Sequence, residues 1–179
     1  GRVADDYYHA ARFLAPAVLP DVDPYSLFGL FSVSDGDAVT NRLLMEKGLL
    51  PWWTAEDFSF RLWRPLTEVT HWLDYRLWPD TPWLMHVHHL GWFAALLWMV
   101  AHFYRRLFPE HSLAILALAV FALSPTLCQT VTWLSARNTL MGATLGIAAL
   151  LLHIRASRQS RLRDQGMAWG MFALALLAS

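Results

Sequence analysis

Residues 84–104, LMHVHHLGWFAALLWMVAHFY, contain no Asp, Glu, Lys or Arg. A helix needs roughly 20 mostly apolar residues to cross a hydrocarbon core of about 30 Å, so this run is long enough to span a bilayer. Three more apolar runs follow, at 113–127, at 139–154 and from about 167 to 179. The second is short and ends near Pro125, so it spans only if Pro125 lies within the helix or the bilayer is thin there. With 56% hydrophobic residues, ten Trp and ten Phe, the chain is richer in apolar residues than a soluble domain of its size. The expected fold class is an all-α membrane protein, a multi-span helical bundle. It reads as a fragment, because it lacks an initiator Met and its last apolar run is cut at Ser179.

The formal net charge is zero, but residues 1–83 hold seven Lys or Arg against twelve Asp or Glu, and residues 84–179 hold seven against two. Arg105 and Arg106 follow the first run, and Arg155, Arg158, Arg161 and Arg163 follow the third. The connector between the second and third runs has Arg137 alone. The positive-inside rule then makes the two arginine-rich connectors cytoplasmic. Residues 1–83 and the 128–137 connector fall together on the outer face, periplasmic or extracellular, in a multi-pass integral membrane protein. No basic stripe with interleaved aromatics marks a nucleic-acid partner, and the lone Cys128 excludes a disulfide framework.

The acidic first third is expected to be an ordered extracytoplasmic loop of amphipathic helices in the interface plane. It carries Trp52, Trp53, Trp63, Trp72, Trp78 and Trp83, and such rings favour the headgroup level. Phe58, Leu62, Leu66, Val69 and Leu73 make one apolar face over 55–77, with Pro65 as a break or kink. Val3, Tyr7, Ala10 and Leu14 make a second. LPDVDPYSLFG and SVSDGDAV read as turn-rich connection.

Several residues are candidates for chemistry. Asp5 and Asp6 open the first helix, with His9 in reach of either; they serve as caps or, at the water boundary, deprotonate a hydroxyl. Arg137 is an interfacial snorkelling side chain or a phosphate contact through its paired donors; Arg61 and Arg64 admit the same two readings. In HVHH, His86 and His89 share a helix face while His88 points away, which is not the zinc-binding spacing of two histidines four apart. They are metal ligands or hydrogen-bonded intramembrane polar groups. Asp35 and Asp37 in SDGD bind a cation or make a turn. No phosphate loop, dinucleotide fingerprint or serine-nucleophile motif occurs.

ADDYYHAARF, FRLWRPLTEVTHWLDYRLWP, WLMHVHHLGWFAALLW and LSPTLCQTVTWLSARNTLMGATLGIAALLL, in this order, resemble the amino-terminal part of polytopic C-superfamily glycosyltransferases. The nearest likeness is to protein O-mannosyltransferase-like membrane proteins with tetratricopeptide tails. Arg64, Pro65, Leu66 and Thr67 precede Leu73, Asp74 and Tyr75, as in that family, and Pro125, Trp133 and Arg137 match its connector. His89 stands where relatives tend to have Asn. The resemblance implies transfer of a sugar from a polyprenyl-phosphate-linked donor to an acceptor hydroxyl at the outer face of a bacterial inner membrane. Asp5 or Asp6 would be the general base and Arg137 a phosphate contact, with Arg64, His9, His86 and His89 near the substrate. It leaves a divalent cation open and implies no other cofactor. Its partners are membrane lipid, the lipid-linked sugar and an acceptor. The alternatives are a polytopic transporter or channel, with His86, His89, His102 and His153 as the working groups, and a non-catalytic membrane scaffold.

Overall fold

The computed structural model describes residues 5–14, 28–159 and 161–179, except for the side chain of Asp5. In chain order the elements are α1 (Asp5–Leu14), β1 (Ser32–Asp35), α2 (Ala38–Glu46), β2 (Ser59–Arg61), α3 (Pro65–Leu77), α4 (Pro82–Leu107), α5 (His111–Ala122), α6 (Pro125–Thr132), a 3-10 turn (Leu134–Ala136), α7 (Arg137–Gln159) and α8 (Leu162–Ala178). Two helical stretches are long and apolar enough to cross a membrane, Pro82–Leu107 and Leu134–Gln159. A third crossing results if α5 and α6, bent by 55° at their junction, count as one.

The chemistry of the helix ends sets the boundaries. α4 opens on Pro82, whose missing N–H costs nothing in the first turn, and closes on Arg105 and Arg106 beside its carbonyl end. The 113–127 run breaks because Pro125 forces Ser124 out of the helical region, to φ −64° and ψ 135°. Pro125 thus begins α6 instead of lying inside a continuous span. Leu96, Val100, Leu127 and Leu140 form the apolar core between α4, α6 and α7. α8 runs antiparallel to α7 and touches it closely at Gly142, where an added Cβ would sit 3.1 Å from the Ser179 Cβ. Small residues permit such an approach where lipid supplies no drive to associate.

In the first third, the expected single helical stretch over 55–77 is split. β2 pairs antiparallel with β1, and the Leu62 N–H continues the pairing to Phe31 O at 3.1 Å. The helix starts at Pro65, because proline fits the first turn and not the interior. SVSDGDAV holds β1 and the start of α2 around a turn at Gly36. Asp37 caps α2 by accepting the Thr40 N–H at 2.8 Å, and Asp35 pairs with Arg61 at 3.4 Å.

The buried faces of α1 and α3 are mostly polar. On α3 the buried residues are Thr67, Glu68, Thr70, His71, Asp74 and Tyr75, while Leu73 is exposed. On α1, Asp6, His9 and Arg12 are buried with Ala10, while Tyr7 and Leu14 are exposed. Val3 and most of LPDVDPYSLFG lie outside the described residues. These helices turn polar faces inward and apolar faces outward, the reverse of the rule for a helix on a water-exposed core.

Candidate functional site

Four elements converge where α4 and α7 begin. α1 supplies Asp6 and His9, α3 supplies His71 and Asp74, α4 supplies His88 and His89, and the 3-10 turn running into α7 supplies Ser135, with Arg137 the first residue of α7 itself. A small apolar cluster of Ala10, Tyr75, Met85 and Leu134 holds them together, with Phe13 stacked on Tyr75 at 4.8 Å.

Asp6 is buried, and its Oδ1 accepts the Ser135 N–H at 2.8 Å and the Ser135 hydroxyl at 2.6 Å. These bonds reach across the chain to another element, so Asp6 does more than cap α1. The serine has a single proton, and the short bond to the carboxylate takes it. The contact between Ser135 Oγ and His9 Nδ1 at 3.2 Å is therefore donated by the ring. Burial holds His9 down at a pKa of about 4; Asp6 opposes this, while Arg12, Arg137 and Arg64 add to it. His9 is thus neutral at pH 7, protonated on Nδ1, and keeps a lone pair on Nε2. It lines a cavity of about 480 Å³ whose other walls include Tyr7, Tyr8, Leu30, Phe31 and Phe58.

Asp74 is also buried but is held by charge. Its Oδ2 lies 2.5 Å from Arg137 Nη2, and its Oδ1 is 2.6 Å from His88 Nδ1. Arg137 Nη1 is 3.5 Å from the same ring nitrogen, but a nitrogen that donates to Asp74 cannot also accept. His88 Nε2 accepts the Trp92 indole N–H at 3.3 Å, which agrees with that tautomer. Arg137 is 0% exposed, and its Nε has no hydrogen-bond partner among the described residues. Of the two readings of Arg137, the structure shows neither an exposed snorkelling side chain nor a solvent-facing phosphate contact, but a side chain sealed against Asp74. A sealed guanidinium needs a counter-charge, and Asp74 is that charge.

The other candidates fall around this centre. Arg64, half-buried, sits over the Phe31 ring at 4.8 Å, and Phe31 meets the His9 ring edge-on at 5.1 Å. His89 is fully buried and donates from Nε2 to Thr130 O at 3.1 Å; His86, one turn earlier on α4, is half-buried. The side chain of Asp5 lies outside the described residues. Arg61 is exposed and paired with Asp35.

Sequence reasoning missed Asp74, His71, Ser135 and the inward orientation of His88. His71 is buried against His9, ring centroids 5.2 Å apart, and its Nε2 has no hydrogen-bond partner among the described residues. Burial, then Arg137 and the neighbouring histidines, hold its pKa well below the usual value. A readable signal existed for α3: Thr67, His71 and Asp74 recur at steps of four and three, a polar stripe as regular as the apolar one. Beside them, Glu68 is fully buried and accepts the Gly29 N–H at 3.0 and 3.1 Å. Gly29 has φ +101°, which favours glycine there.

Among the described residues, no group of three or more His, Cys, Asp or Glu is arranged to hold a metal ion. No protein-family model, curated protein or solved structure matches the chain.

Proposed function

We propose that the protein transfers a sugar from a polyprenyl-phosphate-linked donor to an acceptor hydroxyl at the outer face of a multi-pass membrane bundle. The observation that supports this reading most is the Asp6, Ser135 and His9 chain. It joins a buried carboxylate to a neutral imidazole on the wall of a cavity. The acceptor hydroxyl gives its proton to His9 Nε2 as its oxygen attacks the anomeric carbon. The Nδ1 proton passes to Ser135 Oγ, and the Ser135 proton passes to Asp6 Oδ1. The bond from sugar to phosphate breaks, and the phosphate leaves with the electron pair.

A positioned base contributes roughly 10²- to 10⁴-fold. Arg64, half-buried beside the cavity wall, is the cation nearest in role to a contact for the departing phosphate, and Arg137 serves to hold Asp74. The exposed Trp52, Trp53, Trp63 and Trp83 suit the headgroup plane, where a lipid-linked donor presents its phosphate. The arginine-bearing ends of α4 and α7 lie at the opposite end of the helices from this cluster, in keeping with a cytoplasmic assignment for them.

A second reading, in which the polar cluster only pins α1 and α3 to the spans, is favoured by the complete burial of Arg137. Asp6→Asn separates the two. The full chain, reconstituted in vesicles with radiolabelled mannose on polyprenyl phosphate and then with other hexoses, is expected to lose at least about 10²-fold in transfer with the protein still folded. Wild-type protein that transfers from none of these donors, or a variant with the wild-type rate, overturns the catalytic reading and leaves the structural one.

A further inference from the structure

α7 and α8 pack against each other along their length, most tightly at Gly142, and leave a groove along one side. At Gly142 an added Cβ would stand 3.1 Å from Ser179, whereas at Gly146, one turn on, it would meet nothing within 4 Å. The gap between them is a groove of about 330 Å³ with an apolar wall that includes Gly146, Ala149, Leu150, Trp169 and Phe172; His153 and Gln165 stand at its polar end. Beyond those two residues the Arg155 Nε bond to Asp164 at 3.0 Å closes the turn.

The charge at this turn is unbalanced. Arg158, Arg161 and Arg163 are exposed, and among the described residues Asp164 is the one carboxylate at the turn, occupied by Arg155. An occupant of the groove must therefore be apolar along its length and anionic at one end. From Gly146 to Arg158 the helix rises about 18 Å at 1.5 Å per residue, close to one leaflet's share of a core about 30 Å thick.

We propose that this groove binds one acyl chain of an anionic phospholipid, with the headgroup phosphate held by Arg158, Arg161 and Arg163. Guanidinium groups suit the phosphate through paired donors, and basic clusters at the cytoplasmic end of membrane helices attract anionic lipid. The site lies at the opposite end of α7 from Asp6 and Arg137. It rests on the membrane reading of the chain and not on sugar transfer, so either proposal can fail alone.

Two variants attack the two halves of the site. Arg158→Gln/Arg161→Gln/Arg163→Gln removes the exposed cations, and Gly146→Leu fills the groove at a position with room for a side chain. The test is native mass spectrometry of the full chain with phosphatidylglycerol and with phosphatidylcholine. Wild type is expected to prefer phosphatidylglycerol at least about tenfold. The arginine variant is expected to lose that preference, and Gly146→Leu to weaken binding of both lipids several-fold. Equal binding of the two lipids by wild type, or a preference that survives both variants, overturns the proposal. Benzoylphenylalanine in place of Phe172, irradiated in membranes, is expected to give an adduct of lipid mass. An adduct with a protein segment instead assigns the groove to another helix and also overturns it.

Discussion

Asp6 and Asp74 are both about 1% exposed, yet different kinds of group hold them. Asp74 is answered by a full cation, Arg137, and by an oriented histidine. Asp6 is held at Oδ1 by the two neutral donors of Ser135. A carboxylate facing a buried guanidinium is neutralised and fixed; it acts as a fastener between α3 and α7. The two acids thus differ in what orients them, a guanidinium and an imidazole at Asp74 and Ser135 at Asp6, and the proposed proton relay runs through the second.

Asp74→Ala leaves Arg137 buried without its nearest counter-charge. The expected loss is about 3–5 kcal/mol in denaturant unfolding, and a second change, Arg137→Met, should recover most of it. Recovery is the diagnostic result, since a lost cavity contact would not be repaired by altering the arginine.

Acid provides the next largest effect. His9 titrates near 4 in the folded protein against 6.5 ordinarily, so between those values the unfolded chain binds a proton that the native state refuses. Stability is thus complete above about pH 6.5 and falls as pH drops toward 4, by up to about 3 kcal/mol from this group. His9→Gln should flatten that part of the profile in thermal unfolding scans.

Ser135→Ala removes the hydroxyl from Asp6 and leaves the backbone N–H. About 1–3 kcal/mol is expected from the lost bond to a buried charge, read by the same unfolding assay. Asp6→Asn should have the smallest effect on stability, under about 1 kcal/mol, because the amide oxygen still accepts both Ser135 donors. A cost near that of Asp74→Ala would show that Asp6 is a fastener too.

The sequence made the spans legible because their signal is simple: length and apolarity suffice to mark α4 and α7, and Pro125 warned of the break after α5. The helices of the first third were harder to orient. The apolar stripe of Leu66, Val69 and Leu73 marks a helix but not which face packs on the rest of the chain, and the structure buries Thr67, His71 and Asp74. Next to lipid, an apolar face is at home outside, and the periodicity itself is the same whichever face is buried. Asp6, His9, Arg64, Arg137 and His89 stand out in the sequence as scarce polar types at the edge of apolar runs, and the structure places them in or beside one cluster. His88 was set aside by testing HVHH against zinc spacing alone, which ignores a partner on another element. Ser135 had no local signal, since its role depends on a contact 129 residues away.

That separation shapes how the protein assembles. Asp6 meets Ser135 across 129 residues, and Thr67 donates to Ala178 O, 2.7 Å away, across 111. At ribosomal rates of 5–20 residues per second, the acid-bearing segment waits about 6–26 s for Ser135 to be synthesised. Until then its carboxylates stay hydrated and its helices lack the latches that orient them. The Asp6 latch therefore cannot form before Ser135 is made, nor the Thr67 latch before Ala178, and a chain that stalls before Ser135 cannot build the cluster.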